Sequence, residues 1–270
     1  MKQLALKVNV WWWSLAAHKP FRAAALGGVL LAIAFPPVPL GLLAGGALVP
    51  LLMILEARLV APEAPKRVGW RAFKYTYVYF IVWNLLTTYW LLLTGHGMPD
   101  LGTQISGAFS GIMANVLNPV VQFLPVLLYV FLRRRLPLGW ALTGFALGWV
   151  SLEYLHFNWE LTWSWITLGH ALSMMPWYVQ YIEWTGVLGA SLFLVVLNVL
   201  LFRFSWQARN GVPIRRKPLA VFVGLLLLPL ALYPLLTHPA RAIYDPAGHL
   251  RVRIIQPNID PYGEKFDGLS

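Results

Sequence analysis

From Ala23 to Leu55 the chain runs 33 residues without a charged side chain, and it is broken by Phe35-Pro36-Pro37-Val38-Pro39. A bilayer core of about 30 Å takes roughly 20 apolar helical residues per crossing. One crossing would leave residues over, and proline removes backbone donors and cannot continue a helix. The run therefore predicts a hairpin of two short spans. Further apolar segments follow at Tyr75–Thr94, within Leu101–Leu132, at Leu136–His156, at Glu183–Phe202 and at Pro218–Leu236. Pro119 and Pro125 predict a kinked fourth helix whose freed carbonyls need neighbouring helices or water. The pattern describes an all-α polytopic membrane protein with about seven transmembrane helices, occupying residues 1–240.

Composition agrees with the pattern. The 270 residues are 59% hydrophobic and 11% charged, with a mean hydropathy of +0.63, too few polar side chains to coat a soluble globule. The opening MKQLALKVNVWWWSLAAHKPFR is only loosely like a signal peptide, because Lys7 interrupts its apolar part and Lys19 and Arg22 follow the alanine pair. It reads as an uncleaved lead-in lying at the membrane interface.

A formal charge of +11 would suit nucleic acid, but its distribution points elsewhere. Seventeen of the 21 basic residues precede the first span or follow the second, fourth and sixth. The loops at Pro36–Leu40, Gly95–Gly102 and Phe157–Gln180 carry none. Basic residues collect on the cytoplasmic side, so the N-terminus is expected inside and the tail beyond the seventh span outside. No nucleic acid partner is expected; the partner of these surfaces is the lipid bilayer.

Candidate chemistry is sparse. With no cysteine, structural disulfides, cysteine-ligated zinc and a cysteine nucleophile are excluded within these residues. Histidines at 18, 96, 156, 170, 238 and 249 show no metal-ligand spacing, so neither metal nor cofactor is expected. The longest outside loop, His156–Gln180, concentrates Trp159, Trp163, Trp165 and Trp177. It can be an aromatic belt at headgroup level, a site that admits lipid or substrate, or both, and Trp163 and Trp165 are the candidates. Glu153 and Glu183 lie near the outer ends of their spans, where carboxylates are costly unless partnered. No basic residue is near in sequence, so tryptophan or tyrosine donors, backbone amides or water are the expected partners. A structural acceptor and a substrate-contacting group are equally open roles for both. Ser191 has no histidine base beside it and, with Gly186, Gly189 and Ala190, is expected to permit close helix packing. Arg251–Ile255 has the β-branched content of a short strand, ended by Pro257 and Pro261, and Glu264-Lys265 reads as a solvated pair.

FPPVPLGLLAGGALVPLL, Leu152-Glu153-Tyr154-Leu155, WSWITLG, TGVLGASLFLVVLN and VRIIQPNIDPYGEKF resemble, in this order, the membrane portion and domain junction of bacterial apolipoprotein N-acyltransferases, from about Phe21 to Phe266. The resemblance implies a bacterial inner-membrane enzyme carrying a periplasmic nitrilase-like (carbon-nitrogen hydrolase) α/β domain. Such enzymes move an acyl chain from a phospholipid donor onto the diacylglyceryl-cysteine of a lipoprotein acceptor, through a cysteine thioester served by a glutamate and a lysine. On that reading residues 241–270 are the incomplete beginning of the nitrilase-like domain. The triad lies downstream, no catalytic residue is assigned within this chain, and the chain by itself is expected to be inactive. Two departures stand in the outer loop: His156 where the family often has arginine, and Trp163-Ser164-Trp165 where it often has Phe-Pro-Trp. The rival readings are a non-catalytic membrane anchor or partner of a separate nitrilase-like subunit, and a transporter, against which the lack of an internal repeat weighs.

Overall fold

A computed structural model describes residues 2–60, 67–96, 100–160 and 162–236, with the side chains of 2–5 and 236 excepted. These residues are helical and hold no strand. The strand expected at Arg251–Ile255 and the tail 241–270 lie outside the described residues.

Helix α1 (Lys2–His18) leads into α2 (Pro20–Ile33), which starts on a proline, a residue whose missing N–H costs nothing in a first turn. The proline-rich break falls where the pattern put it, at 34–40, and is followed by a 3-10 turn (Gly41–Leu43), a short α3 (Ala44–Ala47) and α4 (Val49–Leu59). α5 (Val68–Thr87) begins seven residues before the apolar segment did, taking in Arg71 and Lys74, and ends at Thr88, which turns back to bond Asn84 O. α6 (Leu101–Arg133) keeps Pro119 and Pro125 inside one helix. Its first turn is capped by Asp100, whose carboxylate accepts Thr103 N–H at 2.8 Å. α7 (Leu138–Phe157), α8 (Ile182–Arg209) and α9 (Arg216–Leu236) complete the described chain.

The helices close a ring. α2 packs on α5, α5 on α6, α6 on α7, α7 on α8, and α8 returns to α3 and α4, which touch α2. α9 stands outside against α8, held by Phe204 on Phe222 and by Tyr178 OH donating to Leu226 O at 2.9 Å. The middle of the ring is filled by aromatic rings in succession: Tyr129, Phe145, Trp149, Phe80, Trp83 and Phe35, with neighbouring centroids 5.3–6.0 Å apart. Outward side chains on α6 and α9, such as Ile105, Phe109, Leu219, Leu227 and Leu235, are exposed and apolar, the surface a bilayer would solvate.

Four helical stretches among the described residues are long and apolar enough to cross a membrane: Gly41–Leu59, Leu101–Arg133, Ile182–Arg209 and Arg216–Leu235. α2 is shorter, at 14 residues. α5 and α7 have the length of a span, but Arg71, Lys74 and Glu153 dilute their apolar character.

The basic segments meet at one end of the ring. Asn9 and Trp13 of α1 bond Ser205 of α8, Arg209 lies over the Trp13 ring, and Arg58 donates to Ala17 O. There Glu56 is clamped by Tyr129 OH at 2.8 Å and by Arg133 Nε at 2.8 Å, with the second guanidinium nitrogen 3.3 Å from its other oxygen. The lead-in thus packs into the bundle, with Trp13 and Ala16 buried.

Candidate functional site at the Glu153 end

At the opposite end the loop after α7 does not stay outside. Its first part is largely exposed; from Ile166 to Val179 much of it is buried, folded as a 3-10 helix (Leu168–Met174) between α8 and the turn after α2. Two glycines make the fit. A Cβ on Gly41 would meet Ala171 O at 2.1 Å, and one on Gly169 would meet Val187 O at 2.4 Å.

The start of that 3-10 helix presents N–H groups without partners of their own. Glu153 Oε1 accepts Leu168 N–H at 2.8 Å, and Ser191 Oγ accepts the next one, from Gly169, at 2.8 Å. Trp149 Nε1, one helical turn before Glu153, donates to the same Oε1 at 2.8 Å. The indole and amide partners expected for a carboxylate far from any cation are those found. The Ser191 hydroxyl lies beside the carboxyl, but no donor in the protein meets Glu153 Oε2 with hydrogen-bond geometry, although the residue is 6% exposed.

For Glu183 the partner is solvent, the remaining one of the expected kinds. The residue sits exposed in the first turn of α8, away from Glu153, where solvent or headgroups satisfy it. Gly186 departs from expectation: with φ +64° it interrupts the helical geometry of α8, a left-handed value that glycine alone adopts freely. Ala190 and Ser191 are buried as close packing requires.

The tryptophans divide. Trp163 is half-buried against the core, while Trp165 is 58% exposed and stands edge-on to Trp90 of the preceding loop at 5.2 Å. Trp159 stacks on His156 at 5.3 Å, and Trp177 and Trp184 are exposed on the same rim. Glu153, His156 and Trp163 line a cavity of about 20 Å³ together with Trp83, Gln122, Trp149, Leu152, Ile166 and Thr167. Trp165 and Glu183 are not part of it.

One buried feature escaped the sequence reading: a ladder of amides between α5 and α6. Thr88 bonds Asn115 at 2.9 Å, Asn118 donates to Asn84 at 2.7 Å, and Asn84 donates to Gln122 at 2.9 Å. The signal was present, since 115, 118 and 122 recur at helical spacing within an apolar segment. Asn198 was missed likewise; its side chain receives Leu48 N–H at 2.8 Å and donates to Ala44 O at 2.7 Å, tying α8 to the α3–α4 junction. No group of histidine and acidic residues suited to a metal occurs among the described residues.

The model of the apolipoprotein N-acyltransferase N-terminal domain matches residues 27–200. An apolipoprotein N-acyltransferase of Chlorobaculum tepidum is 28% identical over 260 residues, covering 93% of this chain and 44% of the relative. Those of Geobacter metallireducens (28%, covering 90% of the chain and 44% of the relative) and Thermotoga maritima (29%, 87% and 43%) align similarly. The chain thus spans less than half the length of these relatives. No solved structure matches it. With a family model over more than half of its residues, and the Pro-rich turn, the Glu153 end and the start of α8 all inside the match, the chain belongs to the apolipoprotein N-acyltransferase N-terminal domain family.

Proposed function

We propose that this chain is the membrane portion of an enzyme that transfers an acyl chain from a phospholipid to the α-amino group of the diacylglyceryl-cysteine at the start of a lipoprotein. It crosses a bacterial inner membrane seven times, with the basic end cytoplasmic and the Glu153 end periplasmic. The acyl carbonyl moves first from the phospholipid's ester oxygen to a cysteine sulfur, releasing a lysophospholipid, and then to the amine, regenerating the thiol. Splitting the transfer in this way lets two bulky lipids use one site in turn. The thiol belongs to a nitrilase-like domain on the periplasmic side, since these 270 residues hold no cysteine. What the membrane portion supplies is the rim where lipid arrives.

The observation that carries this reading, beyond family membership, is the rim itself. Trp90, Trp165, Trp177 and Trp184 present exposed rings at the end opposite the basic segments, around a loop anchored below by Glu153 and Ser191. Rigid, amphipathic rings suit contact with acyl chains and ester groups at a membrane surface. Glu183, exposed in the first turn of α8 on the same rim, offers its carboxylate to the acceptor's amine in this reading.

The test joins residues 1–240 to the C-terminal half of the Chlorobaculum tepidum relative and supplies labelled phospholipid and a diacylated lipopeptide. The reading expects a triacylated product by mass spectrometry from the chimera and none from the 270-residue chain alone. A membrane-inserted chimera that leaves the lipopeptide diacylated counts against it.

A further inference from the structure

Four of the nine residues that wall the small cavity beside Glu153 have a buried polar atom without a partner in the protein. Glu153 Oε2 and His156 Nε2 come from α7, Trp83 Nε1 from α5, and Trp163 Nε1 from the loop before the 3-10 helix. Trp83 is fully buried, and His156 and Glu153 are 5% and 6% exposed. An unsatisfied buried donor or acceptor costs about 1–3 kcal/mol, and native interiors hold few of them. Ten such atoms occur among the described residues, and four of them belong to side chains that line this one space. Gln122, the last member of the amide ladder, forms part of the same wall.

We infer that this cavity is a built site for one water molecule, which joins α5, α7 and the loop at the Glu153 end. The volume of about 20 Å³ exceeds the roughly 10–15 Å³ that one water requires and falls well short of a lipid headgroup or a second side chain. Water also has the right valence. Its oxygen accepts from the two indoles, which can only donate, and its hydrogens go to Glu153 Oε2 and His156 Nε2. That arrangement satisfies all four unpartnered atoms of the side chains that line the cavity.

Two consequences follow. His156 carries its proton on Nδ1, because Nε2 must accept. The water also does for Trp163 what the Leu168 N–H bond does for the 3-10 helix, fastening the loop to the bundle through Glu153's second oxygen while the first holds its other end. This inference is independent of the acyl-transfer reading, because every side chain that walls the site lies between Trp83 and Thr167 of this chain.

The test uses the purified, isotope-labelled chain in detergent micelles. Magnetisation transfer from water to the indole protons is recorded, with the Trp83 and Trp163 resonances assigned from Trp83→Phe and Trp163→Phe. A nitrogen spectrum of the unsubstituted chain gives the tautomer of His156, whose signals among the six histidines are identified by their loss in His156→Gln. The inference expects a long-lived water contact at the Trp83 indole, which bulk solvent does not reach, and an unprotonated Nε2 on His156. A resolved Trp83 indole without water contact overturns it, as does a protonated Nε2.

Discussion

Among the described residues two glutamates are buried, one near each end of the ring, and the protein treats them differently. Glu56 is satisfied at both oxygens: Tyr129 and Arg133 reach across from α6, and the charge of the carboxylate is answered by a guanidinium. Glu153 has neutral partners only, and one of its oxygens is left over by the protein. The aromatic succession from Tyr129 to Trp149 and Trp83 joins the two sites, so they share a core and differ in what surrounds the carboxyl. Glu56 itself is closed in by ion pairing, with neither oxygen left without a partner. The Glu153 end is closed by a loop, with polar capacity kept open beneath it and tryptophans displayed above. On the proposed function, that contrast separates a locking end from a working end.

Removing the cation should show the contrast most strongly. Arg133→Leu strands Glu56 beside Tyr129. Breaking a buried pair costs about 3–5 kcal/mol, and because Arg133 is itself 19% exposed the expected loss lies near 3 kcal/mol, at the lower end of that range. The double change Glu56→Leu with Arg133→Leu should recover much of it, since no charge is left behind. Denaturation midpoints in detergent read both, and a double variant as weak as the single would mean that the pair is not what locks this end.

At the other carboxyl the expected effect is smaller. Glu153→Gln keeps an acceptor for Trp149 and Leu168 and abandons no cation, so about 1 kcal/mol or less should be lost. If it costs as much as Arg133→Leu in the same measurement, the two glutamates are alike and the comparison fails.

How far could this be read in advance? The apolar runs and the prolines at 36, 37 and 39 placed the starts of α2, α6, α7, α8 and α9 to within a turn, because burial in lipid demands unbroken helical hydrogen bonding. The start of α5 was missed since Arg71 and Lys74 look like loop residues until a helix end with room for long side chains is provided. Glu56 and Arg133 stand 77 positions apart, and nothing local announces their meeting. Glu153 was singled out by its cost, and its partner types followed from the lack of nearby cations. The Glu153 loop was read as surface because short 3-10 helices have no strong periodicity. Only the fit of Gly41 and Gly169 against neighbouring carbonyls shows that it folds inward.

The smallest expected effect concerns the rim. Trp165→Ala in the chimeric enzyme removes an exposed ring that touches Trp90 and supports little of the core. Surface changes of this kind usually alter stability by about 0.5 kcal/mol or less. Loss of one aromatic contact to lipid, on the order of 0.5–1.5 kcal/mol, would slow acyl transfer roughly two- to tenfold at unchanged protein level. Unchanged turnover would make the rim an anchoring belt alone.

The central claim is that the locking end faces the cytoplasm and the Glu153 end faces the lipids and lipoproteins outside. The chain has no cysteine of its own, so single cysteines report without background. His96→Cys lies exposed on the Glu153 side, before α6, and Val212→Cys lies exposed beyond the basic end of α8. In intact cells a membrane-impermeant thiol reagent should label the first and spare the second, which becomes reactive only once the membrane is opened. Labelling of Val212→Cys in sealed cells, with His96→Cys protected, would contradict the account.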